Sequence, residues 1–258
     1  MTDMLIFQKC GPVATITLDS PPANTWTLES LGALEEMIRQ LHADREVVCL
    51  LFQSRSPHYF SAGIDLRQFA DASTERATKM ATAFGRAFEA VTDFRGVTIA
   101  ALNGHAMGAG LEIALACDLR IAGESAIMAL PEASVGLLPC GGGTQNLALL
   151  VGEGWAKRII LCGERVSGQQ AATIGLVEKV VSDDHLAHEA QVWAKRVASQ
   201  SPDSLIACKQ LIQMSRSLPV RQVLSAEREL FVALFDGRNH KEGVDAFLEK
   251  REPQWQYA

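Results

Sequence analysis

The way apolar residues recur along the chain restricts its fold more than any other feature. Up to about Val181, short apolar runs suited to strands alternate with helical stripes; beyond it only helical spacing remains. Residues 5–7 and 13–18 read as a hairpin around a Gly11-Pro12 turn. Leu28, Leu31, Leu34, Ile38 and Leu41 form a helical stripe with Thr27 as its N-cap. Residues 47–52 make a continuous apolar run short enough for a buried strand. Met80, Phe84, Phe88, Val91 and Phe94 form a second stripe, residues 97–102 a strand, and residues 108–117 a helix of small side chains. Strands at 119–122, 126–129 and 177–181 complete the alternation, which predicts an α/β core. Four helices follow, at 183–198, 202–215, 220–235 and 241–250. The third carries a broad apolar face that must be covered by the chain's own core or by another subunit.

Composition narrows the function. The 258 residues suit one large domain, with no fixed repeat and no low-complexity linker. Against 24 basic residues stand 30 acidic ones, a net charge of −6. Neither nucleic-acid nor membrane binding is expected from such a surface. An anionic ligand would need a local set of basic groups or backbone N–H donors. No apolar run approaches the roughly 20 residues that cross a bilayer, and residues 1–8 lack the pattern of a secretory leader. The six cysteines are scattered without a C-x-x-C pair, which disfavours a metal site and predicts free thiols in the reducing cytoplasm.

Two glycine-rich stretches stand out. Gly104-His105-Ala106-Met107-Gly108-Ala109-Gly110 follows a strand and opens a helix, but Ile113 stands where a dinucleotide fingerprint needs its third glycine. Gly141-Gly142-Gly143-Thr144 lacks the lysine of a phosphate-binding loop. What remains at residue 108 is a helix N-terminus whose free N–H groups attract negative charge; glycines that merely allow close helix packing are the competing explanation. Glu112 lies in that first turn among Leu111, Ile113, Ala114 and Leu115, where burying a carboxylate is costly without a partner. Simple pairing with the helix dipole would also account for it. Glu132 is likewise the sole charge in its stretch. Two isolated carboxylates, each beside a glycine-rich turn, suggest acid–base work at an oxyanion site. His185 and His188 could share a helix face, but a solvated helix explains them better than a metal site. His105 is assigned a packing or hydrogen-bonding role. Cys140 has no adjacent base to activate it as a nucleophile.

Taken in order, three blocks resemble the crotonase superfamily, the enoyl-CoA hydratase/isomerases. They are Phe60-Ser61-Ala62-Gly63-Ile64-Asp65-Leu66, Asn103 through Glu112, and Leu130-Pro131-Glu132 continuing through Val135-Gly136 to Gln145. Weaker agreement extends over 171–177 and 242–251. The resemblance implies a spiral of β-β-α units, with a catalytic core at 1–195 and a helical region at 196–258 that forms trimers or paired trimers. It implies an oxyanion hole from the backbone N–H groups of Ile64 and Ala109, and Glu112 and Glu132 as the catalytic pair. Ala62, Ile64, Asp65, Leu66, Arg67, Ala109 and Cys140 are the implied contacts of an acyl-CoA. Possession of both acids favours syn addition of water to a trans-2-enoyl-CoA in fatty acid metabolism, with no metal or redox cofactor, coenzyme A being part of the substrate. Glu112 would mainly activate water and Glu132 mainly transfer the α-proton. An isomerase, decarboxylase or carbon–carbon lyase on the same fold is the alternative reading, and a non-catalytic acyl-CoA- or RNA-binding relative a further one. Cys140 stands where the family often has glycine, which implies a shifted loop or a narrowed acyl pocket. Ala109 in place of the common glycine implies a tightened turn. Residues 73–79 with Met80, Phe84 and Phe88 are expected to border the acyl pocket.

Overall fold

The computed structural model describes residues 4–70 and 73–257; positions 1–3 and 258, the outer ends of the leader and domain expectations, lie outside them. The hairpin β1 (Leu5–Cys10) and β2 (Val13–Leu18) turns at Gly11, which takes a positive φ of 56°. Helix α1 (Leu28–Ala43) begins in a capping box: Ser30 N–H donates to Thr27 Oγ1 and Thr27 N–H to Ser30 Oγ. Three β-β-α units follow. They are β3 (Cys49–Ser54), β4 (Tyr59–Ser61) and α2 (Thr74–Thr92); β5 (Val97–Leu102), β6 (His105–Met107) and α3 (Ala109–Ala116); and β7 (Leu119–Gly123), β8 (Ile127–Ala129) and α4 (Gly143–Leu161). The chain continues through β9 (Val166–Ser167), α5 (Gly168–Thr173) and β10 (Lys179–Val181).

The first strand of each unit joins one sheet, in the order β1-β2-β3-β5-β7-β10, and the second joins another, β4-β6-β8-β9. Each unit therefore makes one turn of a spiral, and its neighbours along both sheets are parallel. The central strands of the larger sheet are buried on both faces, which is why they read as continuous apolar runs, while the edge strand β1 is mostly exposed. Alternate residues divide between the faces. Leu50, Phe52, Ala100 and Leu102 enter the main core, while Cys49, Leu51, Ile99 and Ala101 meet a second cluster. That cluster is closed by Leu186, Ala190 and Ala194 of α6 (Asp183–Ala198).

The remaining helices are α7 (Pro202–Met214), α8 (Val220–Ala233) and α9 (Asn239–Glu249). A buried lysine docks α7: Lys209 Nζ donates to the carbonyls of Phe94 and Gly96 and to Asp118 Oδ2, at 2.7–2.9 Å. Helix α8 buries none of its own side chains, and Val220, Phe231, Val232, Phe247 and Leu248 stand exposed on the last two helices.

Strands β4, β6 and β9 and helix α4 escape periodicity reading. The three strands are two or three residues long, and α4 is interrupted by Gly152, which leaves helical geometry at φ 75°.

Candidate active site

Two glycines bring the separate sequence blocks together. A Cβ on Gly63 would stand 2.6 Å from the Met107 carbonyl oxygen, and one on Gly110 would stand within bonding-clash range of the Ser61 carbonyl. The loop after β4 therefore lies directly on the turn that opens α3. Ile64 forms an isolated parallel bridge with Trp26: Trp26 N–H donates to Gly63 O and Asp65 N–H to Trp26 O. In that register the flanking residues carry the bridge, so the N–H of Ile64 is directed away from Trp26. Ala109 is the first residue of α3, where helical geometry leaves an N–H without an intrahelical acceptor. Neither N–H has a hydrogen-bond partner among the described residues. Both residues line one cavity of about 400 Å³ with Glu112, Glu132 and Cys140.

Glu112 is 2% exposed, and its burial has a specific compensation. Its Oε1 accepts hydrogen bonds from Gly141 N–H at 2.7 Å and Gly143 N–H at 2.9 Å. These donors open α4, so a carboxylate from the first turn of one helix sits on the N-terminus of the next. Burial pushes the Glu112 pKa up, and the backbone donors of Gly143, Gly141 and Cys140 oppose that rise.

Glu132 follows β8 on a short 3-10 turn (Glu132–Val135) closed by Gly136 in the left-handed region. Its Oε2 is buried without a partner among the described residues. Its Oε1 lies beside Gly108, at a place where any Cβ would come within 2.7 Å; that glycine holds φ 52°. Burial, reinforced by the charge of Glu112, pushes the Glu132 pKa up to about 7. Two identical side chains thus meet different surroundings: one is held by donors, the other is left poised to exchange a proton near neutrality.

Neither Ala109 nor Cys140 takes a positive φ. Ala109 occupies an ordinary helical position, because Gly108 takes the positive φ. Cys140 has no positive φ either; in its loop Gly136 and Gly142 absorb that conformation. Cys140 lines the cavity, where burial and the two carboxylates raise its thiol to about 11, so it stays protonated.

Other expected contacts are more scattered. Asp65 caps the turn Leu66–Phe69 by accepting from Arg67 N–H, and the Arg67 guanidinium folds back onto it at 2.8 Å. Arg67 is 89% exposed and does not line the cavity. Ala62 N–H is used by the Ala23 carbonyl. Leu66 borders a neighbouring cavity instead. Of the expected acyl-pocket residues, Phe84 lines the main cavity, whereas Met80 and Phe88 are buried behind it. His105 stacks on Tyr59 with ring centroids 5.3 Å apart, and exposed His185 pairs with Ser182 Oγ.

Sequence reasoning did not find the grip of Gly141 and Gly143 on Glu112, because those bonds span 29 and 31 residues. Ala77, within the expected 73–79 segment, does line the cavity, whereas Phe69, Ala81, Leu137 and Leu138 were missed as cavity walls. The recurrence of alanine one turn apart at 77 and 81 was the available signal.

The two-sheet β-β-α spiral thus gathers Ile64, Ala109, Glu112 and Glu132 around one cavity. Residues 8–258 match the enoyl-CoA hydratase/isomerase family, and the chain belongs to it. The short-chain-enoyl-CoA hydratase of Clostridium acetobutylicum is 33% identical over 96% of this chain and 95% of its own. Among solved structures, DspI of Pseudomonas aeruginosa is 54% identical with a TM-score of 0.96, covering 99% of this chain and 97% of that one. An enoyl-CoA hydratase of Bacillus anthracis is 31% identical with a TM-score of 0.95, covering 99% and 100% respectively.

Proposed function

We propose that this chain is an enoyl-CoA hydratase, adding water in syn fashion to a trans-2-enoyl-CoA to give a 3-hydroxyacyl-CoA. The observation that carries the reading is the contrast between Glu112 and Glu132 in one cavity. The thioester carbonyl accepts hydrogen bonds from the N–H groups of Ile64 and Ala109, which makes the β-carbon electrophilic and stabilises the enolate. Glu112, anchored through Oε1, takes a proton from the attacking water. Glu132, with a pKa of about 7, delivers a proton to the α-carbon on the same face. Atoms balance with water as the only co-reactant, so no cofactor beyond the coenzyme A of the substrate is required. The names of the relatives support an acyl-CoA substrate.

Residues 1–195 supply the catalytic core and 196–258 the assembly region, giving a homotrimer or homohexamer. The apolar side chains left exposed on α8 and α9 support that assembly. The six free, scattered cysteines support a cytoplasmic setting. No helix among the described residues is long and apolar enough to cross a membrane.

The test follows enoyl-thioester absorbance with a panel of trans-2-enoyl-CoAs and identifies the product by mass. Loss of absorbance with gain of one water is expected. Binding without turnover at every chain length would exclude hydration.

A further inference from the structure

We propose that the site accepts acyl chains longer than six carbons, extending from the catalytic cavity into an adjoining, mostly apolar cavity, and that Ala77 and Ala81 of α2 set this reach. The inference rests on the acyl-CoA reading above. The catalytic cavity of about 400 Å³ adjoins another of about 480 Å³, and Phe69, Ala77 and Leu137 line both. At that shared wall Ala77 offers only a methyl group. Ala81, one helical turn further on, lines the catalytic cavity from the same side of α2. The helix buries Met80 and Phe88, sets Phe84 in the wall of the catalytic cavity, and presents only the methyl groups of Ala77 and Ala81 beside it.

The character of the second chamber selects the occupant. Beyond the shared wall, Leu66, Ala70 and Val135 add apolar surface and Ser73 and Thr74 two hydroxyls, and no charged side chain lines the chamber among the described residues. A pyrophosphate would find no counter-charge there, whereas an alkyl tail would leave water. At about 30 Å³ per methylene a four-carbon acyl group leaves part of the first cavity unfilled, and a longer chain reaches the wall of Phe69, Ala77 and Leu137 that the two cavities share.

Saturated acyl-CoAs cannot be hydrated, so their binding reads the chamber separately from the chemistry. Titration calorimetry of the full chain from butanoyl- to dodecanoyl-CoA is expected to show Kd falling about threefold to fourfold per methylene, continuing past hexanoyl. In Ala77→Phe the gain from hexanoyl to dodecanoyl is expected to shrink at least tenfold, while Ala77→Ser retains it. Ala77 is exposed, so the larger ring costs no core packing; Ala81→Phe, expected to act in the same direction, gives an independent second variant. A wild-type Kd that is flat beyond hexanoyl, or the full gain kept in both phenylalanine variants, would overturn the proposal. Length-dependent binding without hydration of any enoyl-CoA would support the chamber and reject the hydratase reading; failure to bind every acyl-CoA would reject both.

Discussion

Glu112 and Glu132 share a cavity and a functional group, and their neighbours give them different surroundings. In the proposed mechanism Glu112→Gln keeps the shape but removes the base, and Glu132→Gln removes the proton donor. Each is expected to lower kcat about 10²–10⁴-fold while acyl-CoA binding persists, measured by steady-state kinetics beside calorimetry. Because Glu132 must be protonated to donate, kcat/KM for hydration is expected to fall as pH rises through about 7. The same raised pKa affects stability. Between the ordinary carboxylate value of 4.5 and about 7 the folded chain holds a proton that the unfolded chain releases, so this group's contribution falls as pH rises across that window. Above it, Glu132→Gln is expected to be more stable than wild type by about 1 kcal/mol, a melting shift of about 2–4 °C at pH 8 that is absent at pH 4. Both acids were legible in the sequence because each is an isolated charge in an apolar stretch. Their different environments were not, since the donors to Glu112 come from a loop that only the tertiary fold brings near.

At the scale of elements, the long periodic segments could be read in advance and the short ones could not. The strand at Val97–Leu102 and the Thr27 cap of α1 stand where apolar pattern and capping chemistry put them. Strands β4 and β6 are too short to show alternation, yet their parallel pairing carries the loops of Ile64 and Ala109 to one place. Gly63 is the hinge of that juxtaposition, with φ 92° and no space for a Cβ against Met107 O. Gly63→Ala is therefore expected to displace the Ile64 N–H and reduce kcat at least tenfold, with the helical content by circular dichroism unchanged. The docking of α7 was also hidden, because Lys209 reads as a surface residue. Lys209→Met removes the ammonium from Asp118, which keeps its two hydrogen bonds from Thr98, and the donor to two carbonyls, and is expected to cost about 3 kcal/mol in urea unfolding.

At the scale of the whole molecule, the alternation that ends near Val181 separates a self-covered spiral from helices that leave phenylalanines in water. Phe247 is 82% exposed and Phe231 62%. Sedimentation is expected to show a trimer or hexamer, and Phe231→Asp with Phe247→Asp to shift it toward monomer; a monomeric wild type would remove the assembly role of α8 and α9. The mild acidity that argued against nucleic acid is compatible with a substrate held by backbone N–H groups within an apolar cavity. The central claim is that water is added across the enoyl double bond by the two carboxylates. Its most direct test is turnover of a trans-2-enoyl-CoA in ¹⁸O-labelled D₂O, with the product read by mass spectrometry and NMR. The account predicts one solvent oxygen at C3 and one deuterium at C2, on the same face, with both lost in Glu112→Gln and Glu132→Gln. Deuterium entering the chain without solvent oxygen would contradict it and identify a double-bond isomerase.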